Sequence, residues 1–238
     1  MSPSDWTIPT TSPPGPNYAP PTPSTLASIA STPILSETGD ELPFSTLLTF
    51  PSSSDPRTHT HLIIFIRHFF CGSCEAYVRA LTTHLPPSRL APAHTDLTII
   101  GCGDPALVPA YKSRTACPFP IFCDPARSLY TALGMTCTLD TGDRTPAYQE
   151  GGLLAATVAS MWNMVRSGAG MMKGGKYSQN GGEWLFRGAR ELVWCHRMGN
   201  TRDHAEVGEL ERVLGLDGGE AGDGDGEEKG KGEERGGM

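Results

Sequence analysis

Two cysteines separated by two residues carry the clearest chemical signal in the sequence. Cys71 and Cys74 follow closely on a run of five apolar residues, 62–66, and stand where the pattern predicts the start of a helix. A helix N-terminus presents unpaired N–H groups and a partial positive charge, which favour a thiolate over a thiol. Because a lowered pKa makes a cysteine a usable nucleophile, the pair predicts redox chemistry in which Cys71 attacks and Cys74 closes a disulfide.

Two basic residues stand immediately upstream of the pair. Arg67 and His68 can each place positive charge beside Cys71, and we take Arg67 as the residue that supports the thiolate. Cys74 lies one turn further into the helix, so its sulfur is expected to be less exposed and to stay a thiol until it is attacked. The opposite assignment, with Cys74 as the attacking thiol, stays open.

Two other interpretations of the pair also stay open, half of a zinc site and a retained but inactive motif. Zinc would require a second pair of ligands at suitable spacing. Five residues separate Cys117 from Cys123, Cys102 and Cys137 stand alone, and no HxxxH pattern occurs. The sequence therefore favours redox chemistry without a metal or another cofactor, and the cysteines outside the pair are expected to be core residues.

The elements that must position the pair alternate between strands and helices. In chain order they are predicted at residues 62–66, 74–85, 97–100, 105–114, 119–123 and 126–133. A β-α-β-α-β-α order implies parallel strands in an α/β sheet. Catalytic groups gather at the carboxyl ends of such strands, so Cys102, which ends the second strand, is expected within roughly 12 Å of Cys71 as a possible reserve resolving thiol.

The rest of the middle of the chain departs from this alternation. Leu154, Val158, Met161 and Val165 lie at helical spacing, which predicts an amphipathic helix over residues 152–166. Two short strands at 183–186 and 191–196 are predicted to form a hairpin. A last helix is predicted over 205–214.

Both ends of the chain differ in composition from its middle. Residues 1–40 contain 9 Pro and 14 Ser or Thr, and residues 217–238 contain 9 Gly and 8 acidic residues. Such stretches hold too little apolar surface to offset the entropy of ordering. The composition predicts disordered tails at 1–40 and 217–238, flanking one folded domain at residues 41–216 in which the helix 152–166 is an insertion.

Charge and the N-terminal residues argue against several classes of protein. Of the formal net charge of −7, the two tails carry −3 and −5, which leaves +1 on residues 41–216. An acidic chain is not expected to bind nucleic acid, and no apolar run approaches the ~18 residues needed to cross a membrane. The first residues resemble neither a secretory signal nor an Arg-rich presequence. The 7 cysteines are therefore expected as thiols in a reducing compartment, the cytoplasm or else the nucleus.

Four segments together resemble the peroxiredoxin-like 2 family, the AhpC/TSA antioxidant-enzyme domain found in many fungal proteins. The first is FIRHFFCGSCEAYV at residues 65–78, around the cysteine pair. The others are FPIFCDP at 119–125 with Leu133 and Gly134 after it, GGEWLF at 181–186, and a closing segment with His196, Arg197, Asn200, Asp203 and His204. The resemblance covers roughly residues 42–215.

This resemblance implies a thioredoxin-like fold with helices on both faces of a mixed sheet. It also implies reduction of a peroxide by thiols, with a thioredoxin- or glutathione-type thiol as the external reductant. The chain departs from typical peroxiredoxins in two places. The stretch before Cys71 lacks the Pro and Thr of their Pro-x-x-x-Thr-x-x-Cys loop, and Gly181 and Gly182 stand where they place an Arg. Arg67 is the residue that would replace that Arg.

Two rival functions stay open beside the peroxidase. A disulfide or quinone-type reductase would use the same cysteine pair, and a catalytically silent thioredoxin-like adaptor would use the tails as interaction regions. An adaptor needs no lowered pKa at Cys71, which separates it from the enzymes. The closing residues are expected to form a surface network that fixes the last helix, with a site for a substrate anion as the alternative; they are His196, Arg197, Asp203 and His204. The sequence leaves the oligomeric state open.

Overall fold

The computed structural model describes residues 15–49, 59–149, 173–188 and 191–217. The helix predicted at 152–166 lies outside these residues, as do residues 1–14 and 218–238 of the predicted tails. The helices are α1 (Pro23–Ile29), α2 (Gly72–His84), α3 (Pro87–Leu90), α4 (Val108–Thr115), α5 (Ser128–Ala132) and α6 (Val207–Val213). The strands are β1 (Pro33–Leu35), β2 (Glu41–Pro43), β3 (Thr60–Phe65), β4 (Thr95–Gly101), β5 (Ile121–Cys123), β6 (Gly182–Arg187) and β7 (Glu191–Arg197).

The seven strands form one mixed sheet in the order β2-β1-β5-β4-β3-β6-β7. The three strands at its centre, β3, β4 and β5, are parallel, as the alternation of strands and helices predicts. On one side β6 pairs antiparallel with β3 and β7 with β6, and on the other side β1 pairs antiparallel with β5 and β2 with β1. The predicted α/β fold with a mixed sheet is confirmed, and so is the predicted hairpin of β6 and β7.

The central strand β3 divides the core into two layers. All six of its residues are buried, and because side chains alternate across a strand, Leu62 and Ile64 face one layer while Ile63 and Phe65 face the other. Helices α2, α4 and α6 contribute buried side chains to the first layer. Helices α1 and α5 contribute to the second. The result is the three-layer α/β/α arrangement expected from the resemblance.

The predicted N-terminal tail is wrong for residues 15–40. Helix α1 begins at the N-cap Thr22, whose hydroxyl accepts the backbone N–H of Thr25, and Pro23 fills the first helical position, where proline is tolerated. Strand β1 then joins the sheet between β2 and β5. Ile29 and Ile34 are only 2% and 0% exposed. The few apolar residues of this segment cover the second layer, which the average composition of 1–40 does not reveal.

In the described part of the chain, every helix is too short or too polar to cross a bilayer.

Candidate active site

Cys71 occupies the N-cap position of α2, after the loop that leaves the carboxyl end of β3. Its Sγ accepts the backbone N–H of Cys74 at 3.3 Å, as the oxygen of a capping Ser or Thr would. Its backbone carbonyl accepts the N–H of Glu75 and begins the helical hydrogen bonding. The residue is 4% exposed and its thiol is free. The cap therefore points the sulfur at the positive end of the helix, as the sequence predicts.

Arg67 places its guanidinium beside this sulfur. Nη1 lies 3.5 Å from the Cys71 Sγ. The other two nitrogens are held by backbone carbonyls, with Nε donating to Gln179 at 3.0 Å and Nη2 to Tyr177 at 2.5 Å. Because two carbonyls of the loop before β6 hold the guanidinium, its charge stays next to the thiol.

These contacts separate the two cysteines in acidity. A hydrogen bond from the Cys74 side chain, the charge of Arg67 and the N–H of Cys74 lower the pKa of Cys71 to about 6, against the opposing effect of burial. Burial, and then the neighbouring Cys71, raise the pKa of Cys74 well above its ordinary value. At neutral pH, Cys71 is therefore mostly thiolate and Cys74 is a thiol.

His68 does not supply the positive charge suggested for it. Burial, and then the charge of Arg67, lower the pKa of His68 to about 3, so the ring is neutral at physiological pH. The ring lies edge-on to Tyr177 at 4.8 Å, and its Nδ1 accepts the backbone N–H of Phe70. The basic group beside Cys71 in this loop is Arg67.

Cys74 is completely buried between two polar partners. Its Sγ accepts the backbone N–H of Arg67 at 3.4 Å and lies 3.5 Å from Nε2 of His204. His204 follows β7 and is far from Cys74 in sequence. The second thiol of the pair thus contacts a histidine that was expected to lie in a surface network.

A buried carboxylate on β6 holds this histidine. Glu183 is 0% exposed, and its Oε1 accepts His204 Nδ1 at 2.5 Å while its Oε2 accepts His196 Nδ1 at 2.8 Å. Although burial raises the pKa of Glu183, its contacts with His204 and His196 lower that pKa to about 2. These two histidine donors, together with the backbone N–H of Ala205 at 3.4 Å from Oε2, are the compensation that a buried charge requires.

The expected surface network of the closing segment is therefore wrong for its histidines. His196 and His204 are each 3% exposed and face inward to Glu183, while Asp203 lies 3.8 Å from His196 on the outer side. Glu183 was missed as a site residue. The available signal was a single charged residue inside the apolar run GGEWLF, since a carboxylate in a buried strand requires partners.

Cys102 is near the site, but its contacts indicate a structural role. Its Sγ donates to the carbonyl of Arg67 at 2.9 Å, and the residue is 2% exposed. Burial raises its pKa to about 11, so it supports the Arg67 loop as a thiol. The Cα separation between Cys102 and Cys71 stays a prediction. Of the other cysteines, Cys137 is exposed, contrary to the core position expected for it, and the remaining ones are buried.

Among the residues described, no group of three or more His, Cys, Asp or Glu side chains is arranged to hold a metal ion.

Known proteins resemble this chain in sequence and in fold. Residues 81–200 match the model of the family described as AhpC/TSA antioxidant enzyme, so the cysteine pair precedes the matched segment. Peroxiredoxin-like 2C of Homo sapiens is 27% identical over 192 residues, 80% of each chain, and its Mus musculus counterpart is 26% identical over the same length and shares. The bacterioferritin comigratory protein of Xanthomonas campestris has a similar structure, with a TM-score of 0.50 and 11% identity over 79% of this chain and 91% of that chain.

Proposed function

Because the chain belongs to the AhpC/TSA antioxidant enzyme family, which supports thiol redox chemistry, we propose that it reduces peroxides with Cys71 as the attacking thiolate and Cys74 as the resolving thiol. One observation carries the proposal. Cys71 caps α2 with the Arg67 guanidinium 3.5 Å from its sulfur, and its pKa is lowered to about 6 while that of Cys74 is raised. This asymmetry assigns the two roles.

The first step oxidises Cys71. Its thiolate attacks one peroxide oxygen, the O–O bond breaks, and the departing oxygen takes a proton to leave as water or an alcohol. Cys71 becomes a sulfenic acid, and the peroxide is reduced by two electrons. Arg67 supports this step because its charge stabilises both the thiolate and the negative charge that develops on the departing oxygen.

The second and third steps restore the enzyme. The Cys74 sulfur attacks the sulfenic sulfur, the S–O bond breaks, and a Cys71–Cys74 disulfide forms with release of water. An external dithiol of the thioredoxin type, or two molecules of a glutathione-type thiol, then reduces the disulfide by exchange. No bound cofactor enters this sequence.

The exposure of the site is compatible with a small oxidant. Cys71 is 4% exposed and Cys74 is not exposed. A hydroperoxide requires only one oxygen atom at that sulfur. The bacterioferritin comigratory protein of Xanthomonas campestris is described as having alkyl peroxide reduction activity, which supports an organic hydroperoxide as one substrate class to test here.

The test is stopped-flow oxidation of the reduced protein with hydrogen peroxide and with an organic hydroperoxide. The exposed Cys137 is replaced in all samples by Cys137→Ser, so that it contributes no background. We expect Cys74→Ser to stop at a Cys71 sulfenic acid, which dimedone traps, and Cys71→Ser to lose the fast phase.

Two outcomes would redirect the proposal. Exchanged behaviour of the two serine variants would make Cys74 the attacking thiol. Slow reaction of the intact pair with every peroxide, combined with fast reduction of a small disulfide, would identify a disulfide reductase instead.

A further inference from the structure

The resolving step of the proposed reaction requires a base, and this inference rests on that reaction. Cys74 is completely buried and, with its raised pKa, protonated at neutral pH. The nucleophile in disulfide formation is the thiolate. A buried thiol that attacks the sulfenic acid therefore requires a neighbouring group that accepts its proton during the attack.

We propose that His204 is the general base that takes the proton from Cys74 during disulfide formation, and that Glu183 is the positioning residue that holds His204 ready to do so. The Nε2 of His204 lies 3.5 Å from the Cys74 Sγ, and both side chains are buried. On the opposite edge of the ring, Nδ1 contacts Glu183 at 2.5 Å.

The carboxylate fixes the tautomer of this histidine. An ionised carboxylate accepts hydrogen bonds and donates none, so the Nδ1 of His204 and the Nδ1 of His196 must both carry hydrogen. In its neutral form His204 then has an unprotonated Nε2, and this is the nitrogen that faces the thiol. The arrangement of thiol, imidazole and carboxylate is that of a nucleophile activated by an oriented base.

Neighbouring groups keep the ring in place. Tyr77 stacks on the His204 ring with centroids 4.2 Å apart and planes inclined by 12°. The backbone N–H of His204 donates to the hydroxyl of Tyr148 at 3.3 Å. His196 occupies the second oxygen of Glu183, and its pKa is raised by that contact against the effect of burial. His196 thus holds the second carboxylate oxygen, while His204 holds the first and faces Cys74.

The proton of Cys74 moves to His204 and back to the leaving group. His204 Nε2 takes the proton of the Cys74 thiol, and the resulting thiolate attacks the sulfenic sulfur of Cys71. The S–O bond breaks, and the departing hydroxide takes the proton back from His204 and leaves as water. Cys74 and Cys71 end as a disulfide, the oxidising equivalents come from the peroxide, and His204 returns to its neutral form.

His204→Gln tests the proposal, with His196→Gln as the matched control. Both histidines are equally buried and bind the same carboxylate, but only His204 contacts Cys74. In stopped flow we expect His204→Gln to leave the peroxide phase within about threefold of the parent and to slow disulfide formation by about 10²-fold, the lower end of general-base effects. Dimedone trapping of the Cys71 sulfenic acid should increase accordingly. His196→Gln should slow disulfide formation by less than about tenfold.

A second arm is independent of peroxide. Methyl methanethiosulfonate converts the Cys71 thiolate to a methyl disulfide, and Cys74 then displaces methanethiolate to form the same internal disulfide. Mass spectrometry of quenched samples follows both steps, and His204→Gln should again slow only the second one by about 10²-fold. If peroxide fails to oxidise Cys71 at all, the proposed function fails while this arm still tests the base.

Disulfide formation at the parent rate in His204→Gln, in either arm, would overturn the proposal. Equal slowing by His204→Gln and His196→Gln would also overturn it, because a network that only stabilises the fold depends on both histidines alike. Thermal melting of both variants shows how much stability each has lost, and the comparison is made at a temperature where both are folded.

Discussion

At the scale of single residues, Cys71 owes its acidity to contacts and not to exposure. With its pKa lowered to about 6, roughly nine-tenths of this cysteine is thiolate at pH 7, compared with a few per cent of a free cysteine whose pKa is about 8.5. Burial alone acts in the opposite direction, as the raised pKa values of Cys74 and Cys102 demonstrate. The hydrogen bond from the Cys74 side chain, the charge of Arg67 and the helix cap together therefore outweigh the loss of solvent.

Arg67→Met should move the reactivity of Cys71 to higher pH. Since the charge of Arg67 lowers the pKa of Cys71, its removal should shift the midpoint of iodoacetamide alkylation from about 6 toward the ~8.5 of a free cysteine. Alkylation rates of the peptide that contains Cys71, measured by mass spectrometry from pH 5 to about pH 9, check this. Alkylation of Cys71 should be slower at any given pH below its new pKa, because a higher pKa leaves less thiolate there.

Arg202→Met is the matched control for this variant. Arg202 is buried to a similar degree as Arg67 and also donates to loop carbonyls, those of Thr141 and Gly142. The Arg202→Met variant should lose about as much stability as Arg67→Met and keep the alkylation midpoint of the parent. An unshifted midpoint in Arg67→Met would mean that the Cys74 hydrogen bond and the helix cap hold the thiolate without Arg67.

The sequence predicts the part of the site around the cysteine pair. It does not predict that Glu183 and His204 join this site, and the reason is physical. Arg67, Cys71 and Cys74 lie within one strand–loop–helix segment, where local spacing determines which groups meet. His204 is 130 positions from Cys74 and 21 from Glu183. Which side chain of β6 meets this histidine depends on strand register and on the path of the closing loop, and neither leaves a periodic pattern in the sequence.

At the scale of elements, the junction of β3 and β6 sets the position of Arg67. Phe65, the last residue of β3, pairs with Gly182, the first residue of β6. A Cβ placed on the preceding Gly181 would lie 1.8 Å from the carbonyl oxygen of Phe65. The absence of a side chain at Gly181 is thus what allows the two backbones to approach just before Arg67 leaves the sheet.

Gly181→Ala should therefore destabilise the fold and disturb the site. A contact of 1.8 Å with backbone cannot relax through a side-chain rotation, so β6 must move away from β3. We expect a loss of about 2 kcal/mol or more, as for other overpacked positions, together with a higher alkylation midpoint of Cys71. Urea unfolding and the iodoacetamide pH profile measure the two effects.

Gly208→Ala gives the control for the same chemical change. Gly208 lies in α6, and a Cβ there would meet nothing within 4 Å. Alanine in an exposed helical position should stabilise by about 0.5–1 kcal/mol and leave Cys71 unchanged. Destabilisation of equal size at both positions would contradict the account of the β3–β6 junction.

Elements with a strong local pattern are the ones that the sequence predicts well. The buried strands β3 and β4, helix α2 and the β6–β7 hairpin all lie within a few residues of their predicted bounds. Helix α1 and strand β1 were missed because each is short, 7 and 3 residues, and lies among prolines and hydroxyl residues. Short elements depend on the sheet edge and core that they cover, which local composition does not encode.

At the scale of the whole molecule, the N-terminal segment completes the sheet and closes the second core layer. Ile29 and Ile34 from this segment join Ile63 and Phe65 of the central strand in one buried cluster. The segment also reaches the opposite end of the sheet, where Tyr18 lies 4.9 Å from the ring of His196. Residues 15–40 therefore contribute to the folded domain, and we propose that the domain begins near residue 15 instead of at residue 41.

Two truncations test this boundary. A protein that begins at residue 41 lacks Ile29 and Ile34, which are 2% and 0% exposed, as well as strand β1. Burial of one large aliphatic side chain contributes about 1.5–3 kcal/mol, so the loss is comparable to the 5–15 kcal/mol that typically stabilises a whole domain. We expect this truncation to melt more than about 10 °C below the full chain or to remain unfolded, as followed by circular dichroism.

A protein that begins at residue 15 keeps both isoleucines and the Tyr18 contact. This protein should melt within a few degrees of the full chain, and its Cys71 should be alkylated with the same midpoint. Equal melting temperatures of the two truncated proteins would contradict the boundary near residue 15 and support one at residue 41.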